Sequence, residues 1–163
     1  MSKRRVVITG VGAVSSIGLD LPTTWRSMLA GESGAGMITK FDTEHHTAKF
    51  ACEVWDWNPE DYFPRTEAKR LEKFTMFYLV AADEAMKTSG IDMDQEDRAR
   101  VGCITGTGIG GIDEIEKSKV LQINRGANRV SPFFIPKIMA NAMAGQAAIR
   151  FGTMGTCYVT SSA

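Results

Sequence analysis

Three short apolar runs constrain the fold more than any other feature of this sequence. They are Arg4 to Thr9 (RRVVIT), Arg100 to Gly106 (RVGCITG) and Thr156 to Thr160 (TCYVT). Each is rich in β-branched side chains and none alternates polar with apolar residues, so each reads as a strand buried on both faces. Segments with helical spacing separate them. Such strands alternating with helices predict an α/β fold with a mostly parallel sheet covered on both sides. The 163 residues suffice for one domain, and an apolar content of 44% supplies its core.

The intervening segments carry helix signals. In DLPTTWRSMLAG, Asp20 stands at an N-cap position and Pro22 suits a first turn. Trp25, Met28 and Leu29 form an apolar stripe, and Gly31 ends the helix. A longer helix is predicted from Thr66 to Ser89, where Leu71, Phe74, Tyr78, Ala81, Ala82 and Ala85 recur at helical spacing before Gly90. A third begins near Ile112; its acidic start (Asp113, Glu114, Glu116) and later Lys117 and Lys119 agree with the helix dipole. SPFFIPKIMANAMAGQAAIRFG reads as one proline-started helix whose small residues suit close packing, and AKFACEVW as a modest strand.

Acidic and basic residues balance at 19 each, so the basic excess of a nucleic-acid binder is missing and no nucleic-acid partner is expected. No apolar run approaches the roughly 20 residues that span a bilayer. Thr9, Gly10 and Gly12 interrupt what the basic start would otherwise make into a secretory signal. Cys52, Cys103 and Cys157 form no CxxC pair, and adjacent His45 and His46 are poorly arranged to ligate one metal. Neither a metal nor a disulfide framework is expected, a reducing cytoplasm fits, and Cys157 is expected in the core. The glycine clusters TGVGAVSSIG and GTGIGG miss the dinucleotide fingerprint and lack a P-loop lysine. No cofactor is expected, and the glycines are read as serving close packing or positive φ.

Several of these stretches together resemble one family. SKRRVVITGVGAVSSIG, FDTEHHTAKFACEV, GTGIGGIDEIE and RVSPFFIPKIMANAMAGQAAIRFG follow, in order, the pattern of the type II β-ketoacyl-acyl carrier protein synthases. These are the elongating condensing enzymes of fatty-acid synthesis, in the thiolase superfamily. The resemblance runs along the whole chain. It implies a thiolase-type layered α-β-α-β-α fold, with residues 1–163 as an incomplete first half of a thiolase-like domain. In the family, the strand matching CYVTSSA leads directly into a nucleophilic cysteine at the N-terminus of a buried helix, where the dipole favours the thiolate. That cysteine is therefore expected immediately after Ala163, with no catalytic residue inside 1–163. These residues alone are expected to be inactive and to expose apolar surface. A true end of the chain and a chemically modified residue 164 both stay open.

The resemblance also implies a reaction: decarboxylative Claisen condensation of malonyl-carrier protein with an acyl-enzyme thioester. It assigns Ile109 and Phe134 to the walls of the acyl-chain pocket, Phe134 partly across a dimer interface. Arg65, Lys69 and Arg70 are assigned to docking the acidic acyl carrier protein. The i, i+4 spacing of residues 65, 69 and 73 predicts three cations along one helical face. The complete protein is expected to be a cytoplasmic homodimer. Two rivals remain at this stage: a non-condensing, chain-length-factor-like partner subunit with another residue at the nucleophile position, and a dinucleotide-binding domain.

Overall fold

The structure, a computed structural model, describes residues 4–162. Its elements run α1 (Leu21–Ala30), β1 (Gly36–Met37), β2 (Phe50–Ala51), α2 (Arg65–Ala68), α3 (Lys73–Ser89), β3 (Cys103–Thr107), α4 (Ile112–Arg125), α5 (Phe134–Ile138), α6 (Ala142–Phe151) and β4 (Cys157–Ser161). They group into two compact units, Met1–Asn58 with Val80–Ile91, and Pro59–Leu79 with Asp92–Ala163.

In the first unit, α1 forms as its local signals require. Asp20 accepts a hydrogen bond from the Thr23 N–H at 2.7 Å, a proline occupies the first turn, and Gly31 closes the helix at φ 70°. The expected apolar stripe is turned the other way: Trp25, Met28 and Leu29 are exposed, while Thr24 and Ser27 are buried. Hydrogen bonding decides this, because the Thr24 hydroxyl lies 3.1 Å from Ser15 Oγ and donates to the Gly18 carbonyl at 3.2 Å. AKFACEVW contributes only the two residues of β2, which pair antiparallel with β1, Gly36 opposite Ala51. Buried Glu53 braces the pair by accepting the Thr39 hydroxyl at 2.7 Å. The expected strand over Arg4–Thr9 is not formed. A strand exists through its ladder, these residues enter none, and Val6 and Ile8 are 94% and 86% exposed.

The second unit holds the fully buried apolar side chains: Phe63, Leu71, Met76, Leu79, Cys103, Met143, Ala144 and Ala147. Here β3 and β4 pair in parallel, Cys103 opposite Cys157 through Thr107 opposite Ser161. The helix α6 packs on both strands. Its small residues allow the close approach expected of them, since Ala144 and Ala147 are 0% exposed. The strands are not buried on both faces. Cys103 and Thr105 are buried and Ile104 is exposed, while β4 exposes Tyr158 and also Cys157, which was expected in the core. Burial on both faces needs a layer on each, and the α6 side supplies one.

Two helices break where the pattern predicts continuity. Between α2 and α3 the chain turns at Lys69–Glu72, Leu71 becomes core, and the Glu72 carboxylate accepts the Phe74 N–H at 2.9 Å, starting α3 afresh. Between α5 and α6, Met139 is extended (φ −63°, ψ 127°). Pro136, without an N–H, is tolerated in the first turn of the short α5.

Candidate functional site

The second unit brings together the two segments expected to line an acyl pocket. Ile109 lies in the loop between β3 and α4, and Phe134 is the first residue of α5. The loop is pinned at one end, where Gly110 N–H donates to the Thr107 hydroxyl at 3.2 Å. At the other end the Gly111 N–H donates to the Ile138 carbonyl at 3.3 Å, joining loop to helix. This join needs glycine. Gly110 has φ 81°, and a methyl group at Gly111 would lie 2.8 Å from Ile138 Cα and 2.9 Å from the Lys137 carbonyl oxygen. The glycine-rich GTGIGG stretch thus serves positive φ and close backbone packing. Ile109 is 62% exposed and Phe134 is half-buried.

An ion pair reinforces the same join. Lys137 Nζ donates to Glu114 Oε2 at 2.8 Å, and the second oxygen of Glu114 accepts from the buried Ser118 hydroxyl at 3.3 Å. The two charged side chains are 15% and 16% exposed, in contrast to the surface pair of Lys117 with Asp113 on α4. Reading Glu114 only as a helix-dipole residue misses this role. The one available signal is a lysine in an otherwise apolar FIPKIM segment, and it does not identify a partner 23 positions away.

The cationic positions are redistributed. Because the helix breaks at Lys69–Glu72, Arg65 and Lys73 belong to different helices and the single cationic face of residues 65, 69 and 73 is not formed. Arg65 pairs with Glu60 at 3.6 Å on the open surface. Lys69 is exposed at the C-cap of α2. Arg70 lies over the Phe133 ring, 5.1 Å from its centroid. A cavity of about 340 Å3 opens beside it, lined by Thr66, Glu67, Arg70, Leu71 and Gln146.

Of the three cysteines, buried Cys103 sits 3.4 Å from the Thr153 hydroxyl. Half-buried Tyr78 has its phenol pushed above the ordinary 10.0, first by burial and then by the nearby thiols of Cys103 and Cys157. Among the described residues, no group of three or more His, Cys, Asp or Glu is placed to hold a metal ion, and no helix is long and apolar enough to cross a membrane.

A strand pair carrying a glycine loop and backed by a small-residue helix defines a class. The chain belongs to the β-ketoacyl synthase family, its residues 3–163 matching the model of the beta-ketoacyl synthase N-terminal domain. It is 40% identical over 152 residues to 3-oxoacyl-[acyl-carrier-protein] synthase 2 of Staphylococcus aureus (strain COL), covering 93% of this chain and 37% of that protein. It is 37% identical to the protein of the same name from Vibrio cholerae serotype O1, covering 100% of this chain and 39% of the relative. In three dimensions it is similar to the ishigamide ketosynthase/chain length factor, with a TM-score of 0.81 and 25% identity over 98% of this chain and 40% of that one. The fold is accordingly of the thiolase type, as the resemblance implied. The chain spans well under half the length of these relatives.

Proposed function

We propose that these residues are the N-terminal part of a thiolase-like domain in a 3-oxoacyl-[acyl-carrier-protein] synthase. The full-length protein elongates fatty acyl chains in the cytoplasm as a homodimer. The observation that carries this reading is the family match across residues 3–163, together with 40% identity to a synthase of that name.

The nucleophile is a cysteine directly after Ala163. Its thiolate takes the acyl group from a carrier-protein thioester and releases the carrier thiol. Malonyl-carrier protein then loses carbon dioxide, and the resulting carbanion attacks the acyl-enzyme carbonyl. The 3-oxoacyl carrier departs as the cysteine thiolate is regenerated. The register of the parallel pair supports this placement. Thr107 lies opposite Ser161, and the Ser162 N–H donates to the Thr107 carbonyl at 3.3 Å. The described end of β4 thus lies beside Thr107, where the loop that bears Ile109 begins. Ile109 and Phe134 then form walls of the acyl pocket, and Arg65, Lys69 and Arg70 receive the acidic carrier protein. The exposed apolar side chains of the first unit, such as Val6, Ile8, Trp25 and Leu29, agree with coverage by further protein in the assembled enzyme.

The test is to mix the full-length protein with acyl- and malonyl-carrier protein and map the acylated peptide by mass spectrometry. The expected result is an acyl adduct on the residue following Ala163 and formation of 3-oxoacyl-carrier protein. A non-nucleophilic residue there, with neither adduct nor product, would overturn the reading in favour of a chain-length-factor-like subunit.

A further inference from the structure

Resting on the reading of Arg70 as a carrier-protein docking residue, we propose that Arg150 is a positioning residue for that docking. It draws the Glu67 carboxylate aside and so keeps Arg70 open to an acidic side chain of the partner. Glu67 stands between two arginines. The Arg70 N–H donates to the Glu67 carbonyl at 2.8 Å, so the two residues lie one turn apart, a spacing at which an acid and a base pair. Yet among the described residues Arg70 enters no ion pair, and Glu67 Oε1 instead meets Arg150 Nη1 at 3.5 Å.

Both arginines are held for these roles. Arg150 lies in the last turn of α6 with its guanidinium 5.5 Å from the centroid of the Phe63 ring. Phe63 is 3% exposed, so this cation rests on a fixed core residue. Arg70 is seated in the same way over Phe133. The cavity of about 340 Å3 is the space this arrangement leaves, with Glu67 and Arg70 both in its lining. A carboxylate of the carrier protein entering it meets the Arg70 guanidinium, whose planar fork suits it, and the Thr66 hydroxyl and Gln146 amide, which can donate. Gln146 lies four residues before Arg150 on α6, so one helix face supplies both a wall of the cavity and the residue that restrains Glu67. Without Arg150, Glu67 turns to its near neighbour and cancels the docking charge. The open form of Arg70 is then less populated, and the apparent affinity falls by the same fraction. The Arg150–Glu67 pair is partly exposed, its side chains 32% and 43%, so the effect is modest and shrinks with salt.

The experiment measures the dissociation constant of acyl carrier protein for the full-length enzyme at low salt, in a double-mutant cycle of Arg150→Met and Glu67→Gln. Arg150→Met is expected to weaken binding by about threefold in the wild-type background. In the Glu67→Gln background it is expected to have no effect, because the competing charge is gone. Equal weakening in both backgrounds means that Arg150 acts by contact with the partner or by general stability, and the proposal is overturned. No weakening in the wild-type background overturns it as well. Should Arg150→Met fail to fold, Arg150→Lys decides, because it keeps the charge but not the guanidinium seated over Phe63. A loss of about twofold that Glu67→Gln abolishes supports the proposal. No loss, or a loss that Glu67→Gln leaves in place, overturns it. Arg70→Glu separates the two claims. If it leaves binding unchanged, the docking reading has failed and the inference falls with it; if it weakens binding while the Arg150 variants do nothing, the inference alone has failed.

Discussion

The Glu84 carboxylate accepts the backbone N–H of Leu21 through both oxygens, at 2.9 and 3.0 Å. Leu21 is the first residue of α1, so an acid on α3 satisfies one of the donors that a helix start leaves open. The same carboxylate accepts the Ala13 N–H at 3.0 Å, fixing the preceding loop as well. Glu84→Ala leaves those partly buried donors unmatched and is expected to cost about 2 kcal/mol. Glu84→Gln is expected to cost less, since one carbonyl oxygen remains to accept. Denaturant midpoints of the full-length protein at constant slope check both.

Asp20 gives α1 its other cap, and this one is sensitive to acid. The Thr23 backbone N–H, first, and the Thr23 side chain, second, hold its carboxyl below the ordinary 3.8. A group whose folded pKa is lowered contributes stability that is complete above its unfolded value and is lost as pH falls through the folded one. Asp20→Ala is therefore expected to cost about 1 kcal/mol near neutrality. The gap between variant and wild type should close as pH drops below 3.8. Thermal melts across an acid pH series read this directly, and a gap that persists at the lowest pH would argue against the cap.

The Asp20 cap was legible because it is local: Asp20, Pro22 and Gly31 announce α1 within twelve residues of sequence, whereas Glu84 reaches Leu21 from 63 positions away. What was not legible is tertiary. Leu71 fits a continuous helical stripe as well as it fits the turn that buries it, and nothing nearby in sequence states that Glu72 restarts the helix. The Val6–Ile8 run has the composition of a buried strand, but composition cannot supply a ladder partner. Cys157 follows the same logic, being strand as expected yet exposed on β4. At the candidate site, the assignment of Ile109 and Phe134 rests on family resemblance. Glu114 and Lys137 escaped notice because their pairing depends on where α5 folds back, which no local period encodes.

The join between loop and α5 predicts a contrast between two glycines. Gly111→Ala drives a methyl group against backbone atoms that cannot rotate away, 2.8 Å from Ile138 Cα. The expected loss is about 1–3 kcal/mol, the usual range for overpacking. Among the described residues nothing lies within 4 Å of a methyl group at Gly108, and its φ is not positive, so Gly108→Ala should leave stability within about 0.5 kcal/mol. Matched melts of the two variants test whether the approach of the backbones, rather than glycine content, holds the loop.

Thr75 supplies a prediction of opposite sign. It is 1% exposed on α3, and its hydroxyl has no hydrogen-bond partner among the described residues. A buried hydroxyl without a partner bears its desolvation cost uncompensated. Thr75→Val keeps the shape and the β-branch while removing that oxygen, so a gain of about 1 kcal/mol is expected. A loss of stability would mean that the hydroxyl is satisfied in the assembled protein.

The broken helix changes what charge reversal at the proposed docking positions should do. On one continuous face, residues 65, 69 and 73 would act alike. In the structure Arg65 is already opposed by Glu60, whereas Lys69 is exposed and Arg70 is held over Phe133. Lys69→Glu and Arg70→Glu are therefore expected to weaken carrier-protein binding at low salt by about tenfold each, and Arg65→Glu by less. Added salt should shrink all three differences, since the screening length falls to about 8 Å at 0.15 M. Arg70→Lys should separate charge from placement: an ammonium keeps the attraction but loses the guanidinium seated over the Phe133 ring, so association stays fast while dissociation quickens. Stopped-flow association with acyl carrier protein at two salt concentrations checks each point. Unchanged affinity of the Lys69→Glu/Arg70→Glu double variant at low salt would remove this surface from carrier-protein docking.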